Sequence, residues 1–144
     1  MDNISSELRS ALMAKIRGKD TRPELVVRTM LHRSGFRYRL HVGTLPGRPD
    51  IVLPRWKTVI FVHGCFWHRH SGCKLTTTPK TRTRFWLDKF NANIKRDTAN
   101  KLALEQAGWK VLIIWECETR SPEKLLKAAK PLLESRESKN NYSS

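Results

Sequence analysis

A membrane span needs about 18 consecutive apolar residues, and this chain of 144 has nothing close; its hydrophobic runs, such as 59–62 and 111–115, are those of buried strands. No apolar h-region follows Met1, so the expectation is a cytoplasmic protein with no membrane partner. Cysteine is scarce and odd in number, three in all, which argues against a disulfide framework and leaves metal binding or catalysis as its use. Acidic residues are few: 13 Asp and Glu stand against 28 Lys and Arg, for a net charge of +15 and a pI of 10.4. So large an imbalance points to a polyanionic partner, nucleic acid first. The basic residues are spread along the chain, so the charge belongs to the folded surface and binding should weaken with salt. There is no internal repeat and no domain boundary, and the length suits one compact domain with a real core.

Periodicity sets out the elements. Leu8, Leu12, Met13 and Ile16 recur at helical spacing with Arg9, Lys15 and Arg17 on other faces, which predicts a short basic amphipathic helix within residues 1–20. Thr21-Arg22-Pro23-Glu24 has the capping-box pattern with an early proline, and Gly35 supplies a stop, so a second helix is expected at about 22–34. Residues 36–42 alternate like a half-buried strand; the Leu-Pro-Gly-Arg-Pro turn at 45–49 then leads to Asp50 at the head of a strand over 51–53. Two β-branched and aromatic runs, 58–62 and 110–115, read as strands buried on both faces. The first delivers His63 to a sheet edge. Between them lies a long helix from Thr83 to Ala107 with Phe90, Ile94 and Leu104 on one stripe, and Ser121-Pro122-Glu123 opens a last helix. The expected fold is α/β, a three-layer sandwich around a mixed sheet, with the body of the domain at 21–134 and a polar, disordered tail at 135–144.

The chemistry concentrates in one loop. Cys65-x4-His70-x2-Cys73, together with Cys117 at the end of a second strand, supplies three thiolates and an imidazole, the ligand set of a structural zinc site. Four ligands leave no open position, so this zinc does no catalysis. His63 and His68 are then left over, and either imidazole could act as general base or as proton donor. Asp50 is the natural anchor for a separate Mg²⁺ ion, which needs few protein ligands. Asp97 falls on the apolar stripe of the long helix, where a carboxylate needs a partner, and the histidine at the sheet edge could be that partner.

Several motifs in order, Leu-Pro-Gly-Arg-Pro-Asp at 45–50, His-Gly-Cys-Phe-Trp-His at 63–68, Thr-Arg-Thr-x-Phe-Trp at 81–86 and Trp-Glu-Cys at 115–117, resemble the very-short-patch mismatch repair endonucleases. So do Arg9, Ser10, Met13 and Ile16 near the start and the Gly108-Trp109-x-Val111-Leu112 segment. That resemblance implies a restriction-endonuclease-like fold and an enzyme that nicks the strand 5′ to the thymine of a T:G mismatch, the product of 5-methylcytosine deamination. It implies that Asp50 and the main-chain carbonyl of Val62 hold Mg²⁺, that His68 is the general base, and that His63 contacts the phosphate or leaving group with Asp97 in support. It implies zinc on Cys65, His70, Cys73 and Cys117. Phe66, Trp67 and Trp86 match aromatics that enter the base stack, and Arg9, Ser10 and Met13 match a DNA-contacting helix. Glu24 matches an acidic position near the active site, although its capping role already accounts for it.

The implied partners are double-stranded DNA with a T:G mismatch and further repair proteins, in a bacterial, nucleoid-associated setting, and one nick asks only for a monomer. The sequence departs from the family's pattern at Val62, where threonine is usual, and at Arg69 and Ser71-Gly72, which replace a histidine run. The second acidic residue and the lysine of many restriction-type nucleases are absent. Two other readings remain: a non-catalytic, zinc-stapled module for distorted DNA, and a nickase for other mismatches or for a specific sequence.

Overall fold

A computed structural model describes residues 20–142, with side chains as far as Arg136. The basic helix expected within residues 1–20, with Arg9, Ser10 and Met13, lies outside the described residues. Helix α1, Arg22–Arg33, starts where the cap predicts: Thr21 Oγ1 accepts from the Glu24 N–H at 3.3 Å, proline occupies the first turn, and Gly35 at φ +84° follows the end. Its inward face buries Val27 and Leu31.

Among the described residues four strands form one sheet in the order β1-β2-β3-β4, with β1 Arg39–Leu40, β2 Ile51–Leu53, β3 Thr58–His63 and β4 Lys110–Trp115. The first two pairings are antiparallel and β3–β4 is parallel, so the crossover between β3 and β4 needs a helix to carry the chain back. That helix is α2, Thr83–Gln106, closed by Gly108 at φ +92°. Strand β1 is shorter than the alternation over 36–42 suggests. Phe36 turns into the core, edge-on to Trp56, and His41 takes a left-handed φ of +48°, which ends the pairing.

The sheet divides its side chains by the period of two. Ile51, Leu53, Ile60 and Ile114 pack with α1 and with Leu125 and Leu132, whereas Val52 and Val59 pack with Leu104 of α2. Helices therefore cover both faces, and the expected three-layer α/β architecture around a mixed sheet is the observed one. The single last helix expected from 122 is two: α3, Pro122–Ala128, capped by Ser121, and α4, Lys130–Tyr142. The segment after 134 is helical through Tyr142. Among the described residues no helix is long and apolar enough to cross a membrane.

Candidate active site and metal-ligand cluster

Parallel register places the site. His63 and Trp115 are Cα partners at the ends of β3 and β4, so Cys65 and Cys117, each two residues further on, emerge side by side. The Cys117 N–H reaches Cys65 Sγ at 3.4 Å. His70 brings Nδ1 to 3.6 Å from Cys65 Sγ and 3.4 Å from Cys117 Sγ, and Cys73 completes a group whose ligand atoms lie within 4.8 Å of one another. A tetrahedral zinc with bonds near 2.3 Å to sulfur and 2.0–2.1 Å to nitrogen separates those atoms by about 3.6 Å. The cluster therefore has the spacing of a closed zinc site, with Nδ1 as the histidine donor.

Thr76 ties the loop by donating to the carbonyls of His70 at 2.7 Å and Cys65 at 3.2 Å. Burial pushes the Cys65 thiol up to about 12, while the Leu75 N–H lowers Cys73 to about 7.

Asp50 stands at the head of β2, and its Oδ2 accepts from the Val62 N–H at 2.7 Å across the end of the β2–β3 pairing. The N–H and C=O of one strand residue point to the same edge, so the Val62 carbonyl is also directed to the Asp50 side. Burial, opposed by that hydrogen bond and reinforced by the charge of Glu24, raises Asp50 to about 7.

Glu24 does only half of what a capping box asks. Its N–H binds the cap, but its carboxylate turns inward, almost fully buried, where Oε1 meets Arg28 Nη2 at 2.8 Å and His41 Nε2 at 2.9 Å. Its Oε2 has no partner among the described residues. Its charge also acts on Asp50, so the cap alone does not account for Glu24.

The histidines divide differently from the sequence expectation. Asp97 Oδ2 lies 2.6 Å from His68 Nδ1, so the carboxylate partners His68 and not the sheet-edge His63. The reason is geometric: a turn closed by the His68 N–H on the Gly64 carbonyl carries His68 out toward α2, whereas His63 is the last residue of a buried strand and only 6% exposed. A carboxylate on Nδ1 fixes the tautomer with that nitrogen protonated and leaves Nε2 as acceptor. The two rings stack at 3.8 Å with 7° between planes. Burial and the neighbouring His68 push His63 down to about 4, so it is neutral at working pH, with Nδ1 unpartnered among the described residues.

Phe66, Trp67 and Trp86 come together beside these histidines, with centroids 5.1 Å apart for Phe66–Trp67, 6.0 Å for Phe66–Trp86 and 5.7 Å for Trp67–Trp86. All three are half-buried; the packed base beneath them is Phe90. One stripe of α2 organises the whole site. Trp86 and Phe90 support the aromatics, Asn93 Nδ2 donates to the Trp67 carbonyl at 3.3 Å, Asp97 holds His68, Asn100 lies against Gly47, and Leu104 is in the core. A Cβ on Gly47, itself at φ +73°, would lie 2.8 Å from Asn100 Nδ2, so the turn leading to Asp50 sits tight on this helix.

Asn93 and Asn100 carry no expectation from the sequence, Arg69 enters there only as a departure from the family's pattern, and Trp115 only as part of a motif. The last stacks on His70 at 4.3 Å and stands edge-on to His63 at 5.2 Å. The two asparagines were findable, because they share the i, i+3, i+4 stripe of Phe90 and Asp97.

Residues 1–74 match the family model "DNA mismatch endonuclease Vsr". The chain belongs to that family. It is 50% identical over 117 residues, 81% of this chain and 85% of the relative, to "Type II nicking enzyme V.XorIIP" of Xanthomonas oryzae pv. oryzae. It is 47% identical over 120 residues to "Type II nicking enzyme V.NmeAIP" of Neisseria meningitidis, covering 83% of this chain and 85% of that one. With "DNA mismatch endonuclease Vsr" of Escherichia coli it shares 45% over 117 residues, 81% of this chain and 74% of the relative. The Vsr-family chain described here is accordingly a nicking endonuclease, a hydrolase of DNA phosphodiester bonds, and the reading as a non-catalytic module falls away.

Proposed function

We propose that the enzyme nicks the strand 5′ to the thymine of a T:G mismatch and so begins short-patch repair of deaminated 5-methylcytosine. The observation that carries this reading is the adjacency of a hydrolytic group, Asp50 with the His68–Asp97 pair, to a partly exposed aromatic cluster on the same loop. Cleavage and mismatch sensing then share one surface.

Asp50 and the Val62 carbonyl would hold Mg²⁺, and a buried carboxylate raised to about 7 by desolvation is the kind of group a hard cation suits. When bound, the ion neutralises charge on the scissile phosphate. His68, its Nδ1–H held by Asp97, takes the proton of the attacking water on Nε2. The neutral His63 stacks against it as a partner for a phosphate oxygen or the leaving group.

The aromatics act by unstacking. Inserting Phe66, Trp67 and Trp86 beside a base pair costs a few kcal/mol, less at a mispaired step. Nicking should therefore be compared on matched duplexes that contain T:G, T:C, A:C or no mismatch. Trp67→Ala is expected to lose about tenfold or more of the T:G preference while binding duplexes with unchanged salt dependence. An unchanged T:G ratio would make Trp67 a packing residue.

A second reading has its own support, since several relatives are named type II nicking enzymes: the same surface would then prefer a flanking sequence, which duplexes with varied flanks detect.

A pH expectation follows from Asp50. Its folded pKa, about 7, lies above the ordinary 3.8, so the carboxyl loses its cation-binding form as pH falls through about 7. At low Mg²⁺ the acid limb of nicking should sit near pH 7 and move to lower pH as Mg²⁺ is raised, because metal and proton compete. A limb that ignores Mg²⁺ concentration would remove Asp50 as the metal's anchor.

A further inference from the structure

Arg69 lies between zinc-loop residues and faces neither the metal cluster nor the histidines. Its backbone is left-handed, φ +56°, where a glycine would sit without cost and a larger residue persists only if its side chain is needed. The guanidinium explains the need. Its carbon stands 4.0 Å over the Phe90 ring of α2 and 5.7 Å from that of Phe66. Nη1 donates to the Phe66 carbonyl at 3.3 Å and to the Thr77 carbonyl at 2.9 Å, and Nη2 donates to Thr78 Oγ1 at 3.1 Å.

One planar group therefore joins three pieces of chain: the turn that carries Phe66 and Trp67, the segment at 77–78 that leads toward α2, and α2 itself. No strand or helix covers 64–82, so nothing periodic fixes this turn on α2. Three of the five donors are spent on the protein, which leaves Arg69 poorly suited to serve mainly as a phosphate contact. Lysine could keep the charge and some cation–π attraction but cannot bridge three acceptors with a rigid fork.

We propose that Arg69 is a positioning residue for the aromatic wedge: it clamps the Phe66–Trp67 turn to α2 before DNA arrives and thereby sets how sharply mismatched DNA is told from matched. A wedge held in place gives up no freedom when it enters the base stack, so its insertion energy is spent on discrimination. The proposal rests on the reading above that these aromatics enter the stack, and its test separates the two.

The test compares the full-length wild type with Arg69→Lys and Arg69→Met, each labelled with 5-fluorotryptophan. The Trp67 resonance is assigned by its disappearance in Trp67→Phe. In the free enzyme that resonance should be single and sharp in wild type, and broadened or split in both Arg69 variants, with zinc content and Tm unchanged. On DNA, kcat/KM for T:G should fall about tenfold in both variants, while matched-duplex nicking and the salt slope stay the same.

An unchanged Trp67 resonance overturns the clamp. A broadened resonance with the full T:G ratio overturns its role in discrimination. Uniform weakening on all duplexes with a shallower salt slope makes Arg69 a phosphate contact instead. If wild type itself shows no T:G preference while the resonance responds, the mismatch reading fails, and the discrimination role fails with it.

Discussion

Asp50→Asn should abolish nicking, by roughly 10³-fold or more, while leaving a folded protein that still binds DNA. The magnitude follows from what a metal ion contributes to charge stabilisation at a phosphate, several kcal/mol at 1.4 kcal/mol per factor of ten. Asparagine keeps an oxygen acceptor for the Val62 N–H, now met at 2.7 Å, so the β2–β3 end should not open. The stability change has a definite sign. A carboxyl whose folded pKa is raised, here to about 7 from 3.8, favours the folded state least when ionised, and stability is lost as pH rises from about 4 through 7. Above pH 7, with zinc retained and no Mg²⁺ added to either protein, the variant should therefore be as stable as wild type or more so, with an upper bound of ~4 kcal/mol from that shift. Thermal unfolding at pH 8 beside a single-turnover nicking assay reads both. Nicking at the wild-type rate, or collapse of the fold, would contradict this account.

The contrast between what could and could not be read from the chain has physical causes. Strands β3 and β4 announce themselves because a sheet covered on both faces needs continuous apolar runs, and α1 because its cap and its glycine stop are local signals. The metal cluster is legible for a similar reason: three of its four ligands fall within nine residues, and the fourth ends the only other long apolar run.

Pairings that depend on which way a side chain turns are not legible. Whether Asp97 meets His63 or His68 is decided by a turn closed on the Gly64 carbonyl, which places His68, 29 residues from Asp97 in sequence, against that carboxylate. Glu24 satisfies a cap pattern with its N–H, which hides that its carboxylate reaches Arg28 and His41. The His41 N–H binds the Asp50 carbonyl at 3.2 Å, and the left-handed φ there is what cuts β1 short. Local patterns thus located the elements, and the errors gathered where long-range polar contacts compete with them.

Those contacts also show how α2 unites the site. A helix rises 1.5 Å per residue, so the eleven steps from Trp86 to Asp97 span about 16 Å of one helix that carries a member of the aromatic cluster at one end and the partner of His68 at the other. A shift of α2 would move sensing and chemistry together. Asn93 and Asn100 tie it to the loop at Trp67 and to the turn at Gly47, which keeps both ends of that stripe in register with the sheet.

Loss of zinc should be the most damaging change to this arrangement. Cys117→Ser removes the one ligand that comes from outside the loop, and it is expected to take the metal content from one zinc per chain to none, with a fall in Tm of about 10 °C or more. Cys65 is fully buried and its thiol is pushed up to about 12, so zinc must displace its proton to solvent, whereas Cys73 is lowered to about 7 and ionises more readily. Zinc binding should therefore release protons and weaken as pH falls.

The damage should be uneven. His68, Phe66 and Trp67 lie inside the 65–73 loop, so nicking and mismatch preference should vanish together. The cluster of Val27, Leu31, Ile60, Ile114 and Leu125 instead packs between α1, the sheet and α3, and needs no metal. Stripping the wild-type enzyme with a chelator should accordingly abolish nicking in Mg²⁺ while far-UV circular dichroism retains most of its helical signal, and added Zn²⁺ should restore the activity. A metal-free enzyme that nicks T:G DNA at the normal rate, or a purified chain that contains no zinc at all, would overturn the assignment of these four side chains.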